Sequence, residues 1–177
     1  MTRRDSQTWL LAAVTLCLGL VFLGGCSKKK EASSGILGQA PAFALPSVDG
    51  KTVRLSDYAG KVVLIDFWAS WCPPCRAAIP HIVGLQNAYG PQGFTALGMS
   101  LDQDPADLSA FLERNPVNYP VLKADDATRT AFGGVTSVPQ VFLVDRKGKI
   151  REHYQGYTVE IAEQMKQAVE TLLKEGA

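Results

Sequence analysis

Of the four cysteines in the 177-residue chain, Cys72 and Cys75 stand two residues apart in Cys72-Pro73-Pro74-Cys75 and can do chemistry as a pair. Their separation is too short to staple a sizeable loop, but it suits a reversible local disulfide. Cys72 falls where a helix is expected to start, and unpaired backbone N–H groups there favour thiolate over thiol. It is expected to be the exposed nucleophile, attacking a substrate disulfide to form a mixed disulfide. Cys75, one turn further on and more buried, then attacks the Cys72 sulfur and releases reduced substrate. The same steps in reverse oxidise a substrate. Pro73 and Pro74 stiffen the turn and remove two N–H donors, which tempers the thiolate stabilisation. Two other readings of the pair stay open. One is half of a zinc site, although no second cysteine pair exists and His81 and His153 show no ligand arrangement; the other is a passive structural disulfide.

The pair must be carried by strands and helices that the pattern locates. Val62 to Trp68 is apolar apart from Asp66, as in a central strand covered on both faces. It delivers the cysteines to a helix that begins at Pro73 and runs to about Tyr89, bent by Pro80. Upstream, Phe43 and Leu45 alternate before an Asp49-Gly50 turn and Val53 and Leu55, which predicts a hairpin, and Leu55-Ser56-Asp57-Tyr58 predicts a short helix. Downstream, Phe94 to Leu101 reads as a strand, Pro105 to Arg114 as a helix, Tyr119 to Lys123 as a short strand or extended link, and Asp126 to Phe132 as a helix ended by Gly133-Gly134. Gln140 to Val144 and Lys149 to Tyr154 are strands joined by the Asp145 to Gly148 turn. Val159 to Leu173 is an amphipathic helix with Ile161, Met165, Ala168, Val169 and Leu172 toward the core.

Composition supports one globular domain: 46% hydrophobic and 20% charged residues are not those of a disordered chain. The net charge of +1 offers no basic field that would draw nucleic acid, so partners must be recognised locally. At the N-terminus, Arg3 and Arg4 precede the apolar run Trp9 to Phe22, closed by Leu23-Gly24-Gly25-Cys26, which is the grammar of an export signal. Leu23-Gly24-Gly25-Cys26 resembles the bacterial lipoprotein box, in which the cysteine receives a diacylglycerol and becomes the first residue after cleavage. The expected organisation is a lipoprotein signal peptide over 1–25, a lipidated N-terminus and flexible tether over 26–37, and a domain over 38–177. An uncleaved anchor from about Leu10 to Gly25 is the alternative, somewhat short for a bilayer span. Either reading leaves the domain outside the cytoplasm. With Cys17 removed and Cys26 acylated, Cys72 and Cys75 are the one free pair. Lys28, Lys29 and Lys30 serve as solvated spacing or favour an anionic membrane surface.

The segment Trp68-Ala69-Ser70-Trp71-Cys72-Pro73-Pro74-Cys75 resembles the active-site motif of thioredoxin-like proteins, specifically the membrane-tethered TlpA/ResA thiol-disulfide oxidoreductases. The resemblance extends through Ala40-Pro41-Ala42-Phe43-Ala44-Leu45, Asp49-Gly50-Lys51-Thr52-Val53, Leu55-Ser56-Asp57-Tyr58 and Val138-Pro139, and covers Gly38 to Lys174. It implies a thioredoxin-like three-layer α/β fold with a central mixed sheet, an N-terminal hairpin and a central insertion, here Asp102 to Phe132, which either helps choose partners or completes the fold. It also implies that Cys72 attacks, that Cys75 resolves, and that Val138-Pro139 is a cis-peptide loop beside the disulfide whose backbone aligns an extended substrate. From the residues alone, Pro139 is equally compatible with an ordinary strand entrance. Pro80 matches the family's helix-kinking proline.

Asp66 resembles the buried acid beneath the dithiol of many thioredoxins. Burial destabilises a carboxylate, which suits it to exchange a proton with Cys75; the alternative is an acid satisfied by water or a neighbouring hydroxyl, without effect on rate. Trp71 either contacts substrate or packs locally, whereas Trp68 packs under the active-site turn. Arg76 is either an exposed helix charge or a stabiliser of the Cys72 thiolate. Ala78 departs from the acidic residue common in the family's post-cysteine helix. Asp102 and Asp104 are expected to neutralise the donors of the helix starting at Pro105 rather than to bind metal.

The activity implied is reduction of protein disulfides outside the cytoplasm. Clients would include apocytochrome c, whose cysteines must be reduced before haem attachment. The implied partners are a thiol-disulfide electron-transfer protein at the membrane and the lipid bilayer itself, with no cofactor and no metal. Alternatives are a thiol-disulfide oxidase, a peroxiredoxin-like peroxidase, and a redox-linked chaperone or client-binding module using Trp71 and the Val138-Pro139 loop. A peroxidase would need a threonine and an arginine near its cysteine, and Ala69 occupies the position three before Cys72.

Overall fold

The computed structural model describes residues 38–175. The expected signal peptide with Cys17, the expected lipidation at Cys26 and the expected tether fall outside them. Among the described residues no helix is long and apolar enough to cross a membrane.

A hairpin of β1 (Ala44–Pro46) and β2 (Thr52–Arg54) opens the fold, and a 3-10 turn at Leu55–Tyr58 takes up the end of the expected second strand. There follow β3 (Val62–Trp68), α1 (Pro73–Tyr89), β4 (Phe94–Ser100), α2 (Pro105–Arg114), β5 (Val121–Lys123), α3 (Asp126–Ala131), β6 (Gln140–Val144), β7 (Ile150–Gln155) and α4 (Val159–Lys174). The main sheet has the order β5-β4-β3-β6-β7. β3, β4 and β5 run parallel, and β6 and β7 are antiparallel to their neighbours. This is the mixed sheet expected from the sequence, with the strand that leads to the cysteines at its centre. Tyr119 precedes β5 and is not part of it.

Alternation along β3 divides the core in two. Val62, Leu64 and Trp68 point to one face, where they meet Ile79 and Ile82 of α1, Leu108 and Phe111 of α2, and Met165 and Val169 of α4. Val63, Ile65 and Phe67 point to the other, covered by Phe43 and Leu45 of the hairpin segment and by Phe132 after α3. There Phe67, Phe132 and Phe142 pack edge to face, with centroids 5.1–5.8 Å apart. Fully burying each such ring contributes roughly 1.5–3 kcal/mol, so the sheet is anchored from both sides. The hairpin also shields the sheet edge: Val48 N donates to Val121 O at 2.9 Å and Ser47 bridges to Leu122.

Among the described residues, three of the four α-helices start in the ordinary way. The side chains of Asp104, Asp125 and Thr158 accept from backbone N–H groups in the first turns of α2, α3 and α4. The cap of α1 is Cys72, whose sulfur accepts from Cys75 N. The helix continues through the exposed Pro80, as the sequence predicts, to Tyr89. In α4 the core face includes Ala162 and Leu173 besides the residues expected.

Candidate active site

Cys72 and Cys75 are joined as a disulfide at the N-terminus of α1. Cys75 N donates to the Cys72 sulfur at 3.3 Å, while the next amide, Arg76 N, is taken up by Cys72 O at 3.1 Å. Pro73 and Pro74 occupy the first two helical positions and bring no donors, so Cys75 N is the amide closest to hand for a developing thiolate. Cys72 is not the exposed residue that the sequence suggests. Only 4% of it reaches solvent, against 0% of Cys75. The order of accessibility is as expected; the degree is not, because the loop before β6 covers the sulfur.

That loop contains the cis Val138-Pro139 peptide, and Val138 O lies 3.7 Å from Cys72 Sγ. In the dithiol form this carbonyl can accept from the Cys72 S–H. Pro139 is buried, and its carbonyl accepts from Gly156 N at 2.9 Å, tying the loop to the end of β7. Gln140 Nε2 donates to Ser137 O at 3.0 Å, and its Oε1 accepts from His153 Nε2 at 3.0 Å. The His153 ring stacks on Phe142 with centroids 4.3 Å apart, and burial lowers its proton affinity. His153 therefore braces the loop through Gln140. His81 is half-buried on α1 and Arg76 exposed.

Asp66 is 1% exposed and shares its strand face with Leu64 and Trp68, the face that carries both cysteines. Neither carboxyl oxygen has a protein partner, and burial pushes its pKa up to about 7. A carboxyl poised there can take up or release a proton at neutral pH. Trp68 is buried against Phe111, centroids 5.5 Å apart. Trp71, by contrast, is 65% exposed directly beside the nearly covered Cys72. Ala78 is buried in the core.

The group that sequence reasoning misjudged is Asp102. It does not serve the start of α2, where Asp104 caps alone, accepting from Ala106 N at 2.8 Å. Asp102 is buried, and its carboxylate accepts from Ser70 N at 3.1 and 3.2 Å, Ser70 Oγ at 2.6 Å and Ser100 Oγ at 2.7 Å. It thereby clamps the turn between β3 and Cys72 to the end of β4. The contact spans 32 positions and only the β3–β4 register brings it about; Ser70 in the motif was the one available hint. Asp102→Ala leaves three donors without their acceptor. It should destabilise the fold by roughly 3 kcal/mol in urea unfolding and slow disulfide exchange about tenfold through a misplaced Cys72.

Comparison with known proteins agrees with this geometry. Residues 36–153 match the family model described as the AhpC/TSA family. The chain is 30% identical over 167 residues to the thiol-disulfide oxidoreductase ResA of Geobacillus thermodenitrificans, covering 94% of each chain. It is 28% identical over 145 residues to that of Bacillus subtilis, covering 81% of this chain and 80% of the relative. Among solved structures, a thiol:disulfide interchange protein of the thioredoxin family from Chlorobium tepidum superposes with a TM-score of 0.70 at 29% identity, over 77% of this chain and 97% of that one. A disulfide capping a central helix, in a sheet of this order and in a chain this similar to named oxidoreductases, leads to one assignment: the chain belongs to the AhpC/TSA family of thioredoxin-fold proteins and is a thiol-disulfide oxidoreductase.

Proposed function

We propose that the protein is a lipid-anchored, extracytoplasmic reductase of protein disulfides, with Cys72 as nucleophile and Cys75 as resolving thiol. The supporting observation is the contrast in exposure at the pair: a nearly covered sulfur beneath the Val138 carbonyl and beside a broadly exposed Trp71. An extended client strand can lie on Trp71 and the Val138-Pro139 backbone and bring its own sulfur to the one accessible edge of Cys72. The Cys72 thiolate attacks the client disulfide, and the departing client sulfur takes a proton from solvent. Cys75 gives its proton to ionised Asp66 and attacks the Cys72 sulfur. The second client sulfur leaves as thiolate, so that two electrons have passed to the client and the Cys72–Cys75 disulfide remains. A thiol-disulfide partner at the membrane returns the two electrons.

The export grammar before Cys26 supports residues 1–25 as a lipoprotein signal, 26–37 as a tether and 38–177 as the catalytic domain. The relatives named thiol-disulfide oxidoreductases support disulfide exchange as the activity; clients of the apocytochrome c type, which need a reduced cysteine pair, are the ones that the active-site motif's resemblance implies. The peroxidase reading is weakened by Ala69, which brings no hydroxyl three residues before Cys72.

One experiment tests direction and anchor together. Growing cells are quenched with a thiol-alkylating agent, and the protein is purified from the membrane fraction for intact mass measurement. The expected species carries a diacylglycerol on Cys26 and two alkylated thiols. A population held mainly as disulfide identifies an oxidase instead, and an unacylated precursor overturns the anchor.

A further inference from the structure

The whole chain carries a net charge of +1, yet the charges of the domain are sorted along its strands. β3, β4 and β5 run parallel toward the end that holds Cys72 and Cys75, and β6 runs back from it. Lys61 before β3, the turn of residues 145–148 after β6 and Lys149 before β7 therefore gather at the opposite end. α4 brings its last turn there too, where Glu175 pairs with Arg151 at 2.7 Å. The seven residues of β3 separate the two ends by roughly 20 Å. That exceeds the screening length of about 8 Å in physiological salt, so each end presents its own field.

At the end far from the disulfide the acids are engaged and the lysines are not. Asp145 Oδ1 accepts from Lys147 N and Lys149 N at 2.9 Å each, and Arg151 draws on both Asp145 and Glu175. Glu170 is held by the Tyr89 hydroxyl and Lys166. Lys61, Lys147, Lys149 and Lys174 are exposed and, among the described residues, form no ion pair; Lys61 only stands 5.8 Å from the Tyr58 ring centroid. Arg146 fastens this surface from beneath, its guanidinium donating to Gly60 O at 2.9 Å and Gln92 O at 3.3 Å. It lines one cavity of about 390 Å³ with Lys61 and Lys147, and another of about 540 Å³ with Lys174. At the disulfide end the balance reverses. Asp104, Asp125, Asp126 and Glu160 are exposed at helix starts, against Arg76, Lys123 and an Arg129 already paired with Asp126. The chain enters the domain at the basic end: Ile150 N donates to Gly38 O and Ala40 N to Gly148 O, both at 2.8 Å. The stretch 26–37 before it contains Lys28, Lys29 and Lys30 and can reach about 40 Å at most.

We propose that the end bearing Lys61, Lys147, Lys149 and Lys174 adsorbs to anionic phospholipid and holds the Cys72–Cys75 end away from the membrane. This rests on the lipid-anchored reading for what brings the domain to a bilayer, whereas the surface is a property of the domain itself. Each lysine near an anionic leaflet strengthens adsorption about fivefold, and the same leaflet repels the acidic disulfide end. A phospholipid surface suits this end better than a folded protein. Among the described residues the large exposed apolar side chains are Val48, Trp71 and Val159, none of them here, so the surface offers charge without the apolar centre of a protein interface. Adsorption through a few lysines is reversible and weakened by salt, so the domain still lifts off to meet a thiol-disulfide partner in the membrane.

The test places the full chain on vesicles of phosphatidylcholine, alone or mixed with phosphatidylglycerol. A water-soluble amine-acylating reagent is applied briefly, and mass spectrometry reads the labelling lysine by lysine. Anionic vesicles should slow labelling of Lys61, Lys147, Lys149 and Lys174 about fivefold, with recovery in high salt, and leave exposed Lys123 at the disulfide end unchanged. In the triple variant Lys61→Glu, Lys147→Glu, Lys149→Glu, the remaining Lys174 should lose its protection while thermal unfolding stays that of the parent. Equal labelling at the two ends on anionic vesicles overturns the proposal. So does protection that persists on phosphatidylcholine, which means contact between copies, or that inorganic phosphate reproduces without lipid. Flotation with phosphatidylcholine vesicles and intact mass read the anchor separately. A chain without an acyl group that fails to float there, but is protected by anionic vesicles, loses the anchor and keeps the surface; one that is acylated and floats, yet labels equally at both ends, loses the surface alone.

Discussion

Replacing Cys75 with alanine should turn the enzyme into a trap. The variant keeps Cys72, its helix-terminal cap position and the Val138 carbonyl above it, so attack on a client disulfide proceeds. The mixed disulfide then lacks its intramolecular attacker. A thiol held one helical turn away acts at an effective concentration of roughly 10⁵ M or more, which no dissolved thiol can match, so turnover should fall by at least about a thousandfold. Non-reducing gels of membrane extracts should show ladders of adducts that collapse on addition of reductant, and mass spectrometry of those bands names both the client and the electron donor. Cys72→Ser should capture nothing. If Cys75→Ala accumulates no adducts while Cys72 remains alkylatable, disulfide exchange is not the activity of this pair.

Asp66→Asn should move stability and catalysis in opposite directions. The carboxyl ionises near 7 in the folded protein, against 3.8 for an ordinary aspartate. Between those values the folded protein holds a proton that the unfolded chain has released, so stability falls as pH rises from about 4 to about 7 and stays low above. The full difference corresponds to about 4 kcal/mol. Asparagine carries no charge but is itself a buried polar group, so the net gain at pH ~8 should be roughly 2 kcal/mol or more, vanishing toward pH ~4. Urea unfolding at the two pH values measures this directly. The resolving step should slow by roughly a hundredfold near neutral pH and lose its inflection near 7, as expected when an internal proton acceptor is removed. A variant as unstable at high pH as the parent would show that Asp66 is not a buried charge in the native protein.

Much of this was legible before any coordinates. The Cys72/Cys75 spacing, the apolar β3 strand with its single acid, and Pro73 at the helix start depend on neighbours in the chain, and local spacing determines them. The resemblance carried by Trp68 to Cys75 and by Val138-Pro139 supplied the fold and the loop beside the disulfide. Strand and helix limits followed closely, with Leu55 and Tyr119 the main departures: the chain turns into a 3-10 segment at the first and delays pairing past the second.

What could not be read is what parallel register and packing bring together. Asp102 looks like a helix-capping acid, yet β3–β4 pairing sets it under Ser70, where it holds the active-site turn. His153 reaches the cis-proline loop only because β6 and β7 pair Phe142 with it and leave Gln140 between it and Ser137. Gly98 is paired with Asp66 by the sheet register, and the Trp68 indole and the Tyr119 ring close on the space where a side chain would stand. Local sequence determined which groups are reactive, because helix and strand periodicity act over a few residues. Tertiary structure decided how covered Cys72 is, which carboxylate clamps and which one titrates, because burial and charge environment are properties of residues far apart in the chain.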